Sequence, residues 1–316
     1  MIVKPTFIVG VPRSGTTLLV NLLGGHPLVA PIYETRFLRN LFLLCDRLCW
    51  FYGESLSRKL AGAVGEPFLK SRFEKECGRY RRKVIAYNNI PPEKNGIKQS
   101  YESFPFGESF CLKYDLKDVI RETDAWLDTV KRAPADCTAI WSTAKDYIDR
   151  LFAIHCARMG KPFWINKTPG FLNHLGGLSK LYTDAQYIHM LRDGRDVAVS
   201  NLSLEWGPAT VRQAARRWRD LIRLGRKTAE ARQLPVISVR YEDLIESPES
   251  VLGKIFSFME VDAEPERLLS LLPIFRARTG IWRSAFSAQD REIFAREAGD
   301  LLIELGYEAD HGWLER

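Results

Sequence analysis

Residues 6–19 read TFIVGVPRSGTTLL. An apolar run of strand length enters a turn marked by glycine and proline and leaves as the start of a helix. Strand, glycine turn, helix is the order of a phosphate-binding loop, in which backbone N–H groups at a helix N-terminus face an anion. The usual form is G-x-x-x-x-G-K-[ST], whose lysine reaches the β- and γ-phosphates. Here the frame is Gly10, Gly15, Thr16 and Thr17: threonine stands where the lysine would, and the nearest cation is the earlier Arg13. That counts against ATP or GTP, which normally need the lysine together with magnesium held by an acidic residue. On pattern alone the alternative is an ordinary β–α turn.

Outward from this loop the chain alternates. A second short strand is expected around Leu28–Ile32. Residues 36–160 are mainly helical, irregular, and rich in aromatics and cations, with a break at NNIPPEKNG. From residue 162 the rhythm returns: FWIN as a strand, GFLNHLGGLSKLY as a helix interrupted by glycine, AQYIHMLR as a strand and GRDVAVSNLSLEW as a helix. A long basic helix, ATVRQAARRWRDLIRLGRKTAEARQ, is followed by the strand PVISVRY. Helices follow from Pro248 and around Pro265. The last begins near Ser287, where Ser287 and Asp290 have capping-box spacing, and Gly306 suits its C-cap. Strands alternating with helices predict a parallel sheet with helices on both faces, and ligands in such sheets sit beyond the carboxyl ends of the strands. VPRSGTT, LRDGRD and VRYEDL each end a strand, so the three turns are expected to line one crevice.

Composition narrows the function classes. The chain has 316 residues, 46% hydrophobic and 27% charged, which argues against disorder. Its net charge of +7 arises in residues 36–98, which hold 14 Lys and Arg against 6 Asp and Glu. Such a surplus suits an anionic ligand, an acidic substrate, nucleic acid or an anionic membrane, or is simply a positively biased solvated surface. Nucleic acid is not expected as a partner. The basic helix (Arg212, Arg216, Arg217, Arg219, Arg223, Arg226, Lys227) carries Trp218, Leu221 and Ile222 at amphipathic spacing, and no reader motif accompanies it. The six cysteines show no zinc spacing; Cys45 and Cys49 read as core-facing thiols one helical turn apart. No disulfide framework is expected, and a reducing, cytoplasmic compartment fits. No signal peptide is read at the N-terminus. FLRNLFLLCDRLCWFYG carries Arg39, Asp46 and Arg47 and falls short of the ~20 apolar residues of a membrane span, although it could lie at an interface.

The phrase G-x-P-R-S-G-T-T-L resembles the 5′-phosphosulfate loop of sulfotransferases that use 3′-phosphoadenosine 5′-phosphosulfate (PAPS). YIHMLRDGRDVAVSNL is similar to that family's 3′-phosphate motif, an arginine at a strand end and a serine eight residues on. VRYEDL resembles the segment whose tyrosine lies near the adenine, and Arg278-Thr279-Gly280 is similar to a late loop that closes on the 3′-phosphate, although the family's lysine is absent here. The resemblance runs over about residues 5–36 and 163–306. It implies a PAPS-dependent sulfotransferase of α/β, P-loop-like fold: a parallel sheet flanked by helices in a single domain, with a helical insertion at about 37–161 acting as a lid. It implies donor contacts from Arg13, Ser14, Gly15, Thr16, Thr17, Arg192, Ser200, Tyr241 and Arg278, release of adenosine 3′,5′-bisphosphate (PAP), and no metal. Without the resemblance, Arg192-Asp193 reads as a turn ion pair and Tyr241 as packing.

For the catalytic base, no histidine stands in a context matching the small-molecule members of the family. HPLVAPIYETRFL resembles the HP…E-T-R segment of tyrosylprotein sulfotransferases, whose glutamate serves as base, and this implies Glu34; an ion pair with a neighbouring arginine is the other reading. INKTPGF matches the family's K-x-P segment, implying that Lys167 supports the leaving oxygen together with Arg13. The acceptor is open between a sugar, a lipid, a peptide and a small molecule, through a hydroxyl or an amine. The rivals are a P-loop kinase or nucleotide hydrolase and a non-catalytic PAP- or nucleotide-binding protein of the same fold.

Overall fold

The computed structural model describes residues 4–52, 66–88, 115–132, 136–205, 207–262, 265–271 and 279–315. In chain order the elements are β1 (Thr6–Gly10), α1 (Thr16–Gly24), β2 (Val29–Tyr33), α2 (Phe37–Tyr52), α3 (Glu66–Asn88), α4 (Leu116–Arg132), α5 (Cys137–Met159), β3 (Phe163–Lys167), a 3-10 turn (Pro169–His174), α6 (Leu175–Leu181), β4 (Gln186–Leu191), α7 (Gly194–Leu202), α8 (Val211–Ala231), β5 (Val236–Arg240), α9 (Tyr241–Glu246), α10 (Pro248–Met259), α11 (Pro265–Leu271), α12 (Trp282–Ala285), α13 (Ala288–Glu304) and a second 3-10 turn (His311–Glu315). The expected break at NNIPPEKNG lies outside the described residues beyond Asn88, where α3 ends.

The fold is α/β, with a five-stranded sheet of order β2-β3-β1-β4-β5. β1 pairs in parallel with β3 and β4, and β4 with β5. β1 and β4 are buried along their whole length, so β1 reads as a near-continuous apolar run and the polar Gln186 and His189 of β4 are buried with the rest of their strand. Two compact units make up the chain: Met1–His26 with Ile165–Gly176 and Ala185–Arg316, and Pro27–Trp164 with Gly177–Asp184.

In the first unit, Phe7 and Tyr187 stack at 6.0 Å across neighbouring strands, and α7, α8 and α13 pack together. A Cβ on Gly194 would come within 2.5 Å of the Trp218 ring, so the first residue of α7 is held against α8 at a distance only glycine permits. Trp218 and Ile222 of α8 are buried as its periodicity predicts. Its basic side is not wholly given to solvent: Arg216 Nε reaches Glu297 at 2.7 Å, Arg212 and Arg219 approach the same carboxylate at 3.6 and 3.7 Å, and Arg226 pairs with Glu304. Ser287 caps α13 with a reciprocal Asp290 capping box, and Gly306 follows its C-cap at φ 71°.

The second unit packs α3 against α2 and α4, and α5 against α2 and α4. Its core is aromatic. Trp126 stacks on Tyr147 at 5.3 Å and meets the edge of Tyr80 at 5.6 Å. The Tyr147 hydroxyl lies 2.9 Å from Thr123 Oγ1 and accepts from Tyr80 at 3.4 Å, so its burial leaves no unmet polar group. His155 Nε2 lies 3.0 Å from the Pro31 carbonyl and ties α5 to β2.

One expectation is overturned here. Cys45 is a free, buried thiol, but Cys49 is bridged to Cys137 at the start of α5, with Cα atoms 4.8 Å apart. Four residues along a helix advance the side chain by about 40° beyond a full turn. That rotation takes Cys49 off the core face that holds Cys45 and to the edge where α5 begins. A disulfide fits a reducing compartment poorly.

Candidate functional site

The loop after β1 turns on two left-handed residues, Arg13 at φ 76° and Gly15 at φ 93°. For glycine this is ordinary. For arginine it is a strained backbone of the kind that gathers at ligand sites. Ser14 N donates to the Val11 carbonyl at 3.1 Å and closes the turn. Gly15 is the N-cap of α1 and brings no side-chain cap, and no acidic residue lies in the first turn. The N–H groups of the helix start and its positive dipole end are therefore available to an anion. Ser14 is 1% exposed, and its hydroxyl makes no hydrogen bond among the described residues. A buried hydroxyl in that state calls for a ligand atom or water.

The turns after β4 and β5 converge on this loop. Arg192 is 6% exposed and donates from Nη1 to the Arg13 carbonyl at 3.1 Å. Arg13 Nε donates to Ser200 Oγ at 2.9 Å. Asn201 Nδ2 donates to the Pro12 carbonyl at 3.3 Å and to Val197 at 3.0 Å. Tyr241, the first residue after β5, places its ring beneath the Arg192 guanidinium at 4.6 Å and against Gly15, whose missing Cβ would lie 2.3 Å from Cδ2 of the ring. Arg13, Ser14, Gly15, Arg192, Ser200 and Tyr241 thus form one contiguous cluster, with Thr16 and Thr17 opening α1 beside it. Lys167, 2% exposed, ends β3 opposite Ile8 in register, and the Thr168 N–H that follows it donates to the Ile8 carbonyl at 3.3 Å. Arg278 lies outside the described residues.

Several residues of the cluster carry no mark in a motif of strand-end arginine and distant serine. Asp196 lies 3.7 Å from Arg192 Nη2 and accepts from the backbone N–H groups of Gly280 at 2.8 Å and Trp282 at 3.1 Å. Burial pushes its carboxyl pKa upward, against those two N–H bonds. Arg192, Asp196 and Ser200 recur every fourth residue. The Asp196–Ser200 step lies within α7, and it was the available signal that Asp196 shares a helix face with Ser200, while Arg192 precedes the helix. Arg195 is 1% exposed, paired with Asp193 at 2.7 Å and Glu308 at 2.6 Å and covered by Trp282 at 3.8 Å. Asp193 also caps α7 by accepting from Arg195 N. Asp193 thus forms a local turn bridge with Arg195, a pairing the sequence reading of Arg192-Asp193 did not name.

Glu34 belongs to the second unit. It too has a left-handed backbone, with φ 43°, just after β2. Its carboxylate Oε2 accepts from Arg36 Nε at 3.0 Å and Nη2 at 2.6 Å. Burial lowers the Arg36 pKa, but Glu34 beside it outweighs that, and the net shift is upward. The ion pair of the alternative reading is present, and Arg36 is its cation.

The sulfotransferase family profile matches residues 5–82 and 101–265. The chain belongs to the sulfotransferase family. An uncharacterized protein of Aquifex aeolicus (strain VF5) is 22% identical over 302 residues, covering 89% of this chain and 30% of its own length, so the chain spans under a third of that relative. Among solved structures, the chain is similar to the sulfotransferase domain of the Synechococcus PCC 7002 olefin synthase (23% identity, 93% of this chain and 95% of that one, TM-score 0.46). It is also similar to sulfotransferase STF9 of Mycobacterium avium (17% identity, 94% and 76%, TM-score 0.44). Among the described residues no helix is long and apolar enough to cross a membrane, and no cluster of His, Cys, Asp or Glu could hold a metal ion.

Proposed function

We propose that this family member transfers a sulfuryl group from PAPS to a hydroxyl or amine of an acceptor. The observation that carries the reading is the Arg13–Ser200–Arg192 cluster at the uncapped start of α1. Two guanidinium groups, one buried, meet a hydroxyl and a helix N-terminus, with an unsatisfied Ser14 hydroxyl between them in sequence. This is the donor set that a nucleotide with separate 5′ and 3′ anionic groups requires. The buried Ser14 hydroxyl and the open Gly15 backbone fit a 5′-phosphosulfate. Arg192 and Ser200 would hold the 3′-phosphate, and Arg278 would join them. Tyr241 would serve the adenine side while supporting Arg192 from below.

In the transfer, the acceptor oxygen or nitrogen bonds to sulfur, and the bond from sulfur to the 5′-phosphate oxygen breaks. The electron pair stays on that oxygen, which leaves as part of PAP. Arg13 and Lys167 neutralise the charge growing there, and Glu34 takes the acceptor's proton. No metal is needed for these steps. The helices of residues 37–161 would act as a lid within a single catalytic domain and would select the acceptor, whether sugar, lipid, peptide or small molecule. A cytoplasmic site of action belongs to the same reading, and the Cys49–Cys137 bridge weighs against it.

Calorimetric titration with PAP, ADP and ATP, each with and without magnesium, tests the donor class. Tight, magnesium-independent binding that requires the 3′-phosphate is expected. Magnesium-dependent ATP binding with no gain from a 3′-phosphate would replace the reading with a kinase or nucleotide hydrolase. PAP binding without any PAPS turnover would point to a nucleotide-binding protein that has lost catalysis.

A further inference from the structure

Glu34 sits in a conformation that an L-residue does not adopt for its own sake. A left-handed backbone at a non-glycine residue is strained and persists only where neighbours over-determine it. Two neighbours do so through the same atom. The Arg36 backbone N–H donates to the Glu34 carbonyl at 2.7 Å, and the Tyr87 hydroxyl, in the last turn of α3, donates to that carbonyl as well. The Arg36 guanidinium meanwhile holds the carboxylate. The Tyr87 ring packs on Phe37, centroids 5.9 Å apart at 53°, so the ring has a packing partner that does not involve its hydroxyl. Hydroxyl and ring are thus separable: the ring fills space, and the hydroxyl meets the Glu34 carbonyl and the Arg36 backbone N–H of the same turn.

We infer that Tyr87 is a positioning residue for Glu34, fixing the peptide after Glu34 so that its carboxylate keeps one direction during proton transfer. The inference rests on the reading of Glu34 as the base. Tyr87 touches neither donor nor acceptor in this account and acts only through Glu34. Arg36 cannot do the same alone, because its backbone and side chain both belong to the turn they stabilise and move with it. Tyr87 comes from another helix and supplies the fixed point.

The test uses the full chain and sulfur-labelled PAPS, with water as the probe acceptor: water oxygen bonds to sulfur, the bond to the phosphate oxygen breaks, and Glu34 takes the proton. Tyr87→Phe keeps the ring and removes the hydroxyl. Sulfate release is expected to fall about 10- to 100-fold in kcat, as for a catalytic group misplaced by about an ångström. KM for PAPS, PAP affinity and Tm are expected to hold. In the double variant Tyr87→Phe/Glu34→Gln, kcat should be no lower than in Glu34→Gln alone, since a residue acting through Glu34 has nothing left to position. Wild-type kcat in Tyr87→Phe with Glu34→Gln inactive would overturn the inference and leave the base assignment standing. Losses in Tm and PAP affinity that add to those of Glu34→Gln would also overturn it, since they indicate packing alone. Wild-type kcat in Glu34→Gln would remove the base assignment itself.

Discussion

Gly15 is held by two constraints at once, and a methyl group violates both. Its φ of 93° is costly for any residue with a Cβ, and that Cβ would lie 2.3 Å from the Tyr241 ring. Gly15→Ala is therefore expected to destabilise by about 2–3 kcal/mol, combining the left-handed cost with displacement of a packed ring. Urea unfolding measures it, and an unchanged midpoint would mean the loop is not built as described. The displaced ring is also the platform under Arg192, so the same variant should weaken PAP. Arg192 allows a more selective prediction. If its guanidinium grips the 3′-phosphate, Arg192→Ala should weaken PAP about 10- to 100-fold, the loss of a charge-assisted bond pair, and weaken ADP little. Equal losses for the two nucleotides would break the 3′-phosphate assignment. Glu34→Gln should lower kcat by about 10²- to 10⁴-fold and leave PAP affinity intact; wild-type turnover would exclude its carboxylate from proton transfer.

Elements were legible in the sequence where a local rule fixes them. The strand at 6–10, the Ser287–Asp290 box and the break at Gly306 each follow from short-range pattern, and the three polar strand ends do gather at one end of a parallel sheet because β1, β4 and β5 are neighbours. What stayed hidden was set by partners far away in the chain. Nothing near Arg216 announces Glu297, and nothing near Glu34 announces the hydroxyl of Tyr87. The Cys49–Cys137 bridge spans 88 residues and joins two helix ends whose approach depends on how α2 and α5 pack. Closing a loop of that length removes unfolded-state entropy worth about 4–5 kcal/mol in the simplest treatment. Thiol titration of the denatured chain should accordingly find two more thiols after reduction than before, and reduction should lower the unfolding temperature of the native protein. Replacing both cysteines by serine should reproduce the reduced behaviour and abolish its response to reductant. Equal thiol counts with and without reductant would mean the bridge does not form.

At the scale of the whole molecule, the central strands make stability depend on pH through one histidine. His189 lies on β4 between Val9 and Ser238, almost fully buried. Burial lowers its pKa from 6.5 to about 4, and Arg226 adds to the effect. It is neutral in the folded chain and takes a proton readily only when unfolded. Between about pH 6.5 and 4 the unfolded state therefore binds the extra proton, so stability is full above that window and falls as pH drops through it. At 1.36 kcal/mol per unit the whole window is worth about 3 kcal/mol, of which about 2 kcal/mol is lost by pH 5. Asp196 and Glu242 work the other way. Burial raises both carboxyl pKa values, so their penalty grows with rising pH above the ordinary carboxylate range and eases as pH falls. The wild-type profile is the sum of these opposed slopes, and only a variant isolates the histidine. His189→Leu keeps an apolar side chain of similar volume in a strand and removes the titrating group. Urea unfolding at pH 8 and pH 5 should show the wild type losing about 2 kcal/mol more than the variant over that interval. Parallel losses in the two proteins would place the acid sensitivity in other groups and leave His189 as a packed side chain with no part in it.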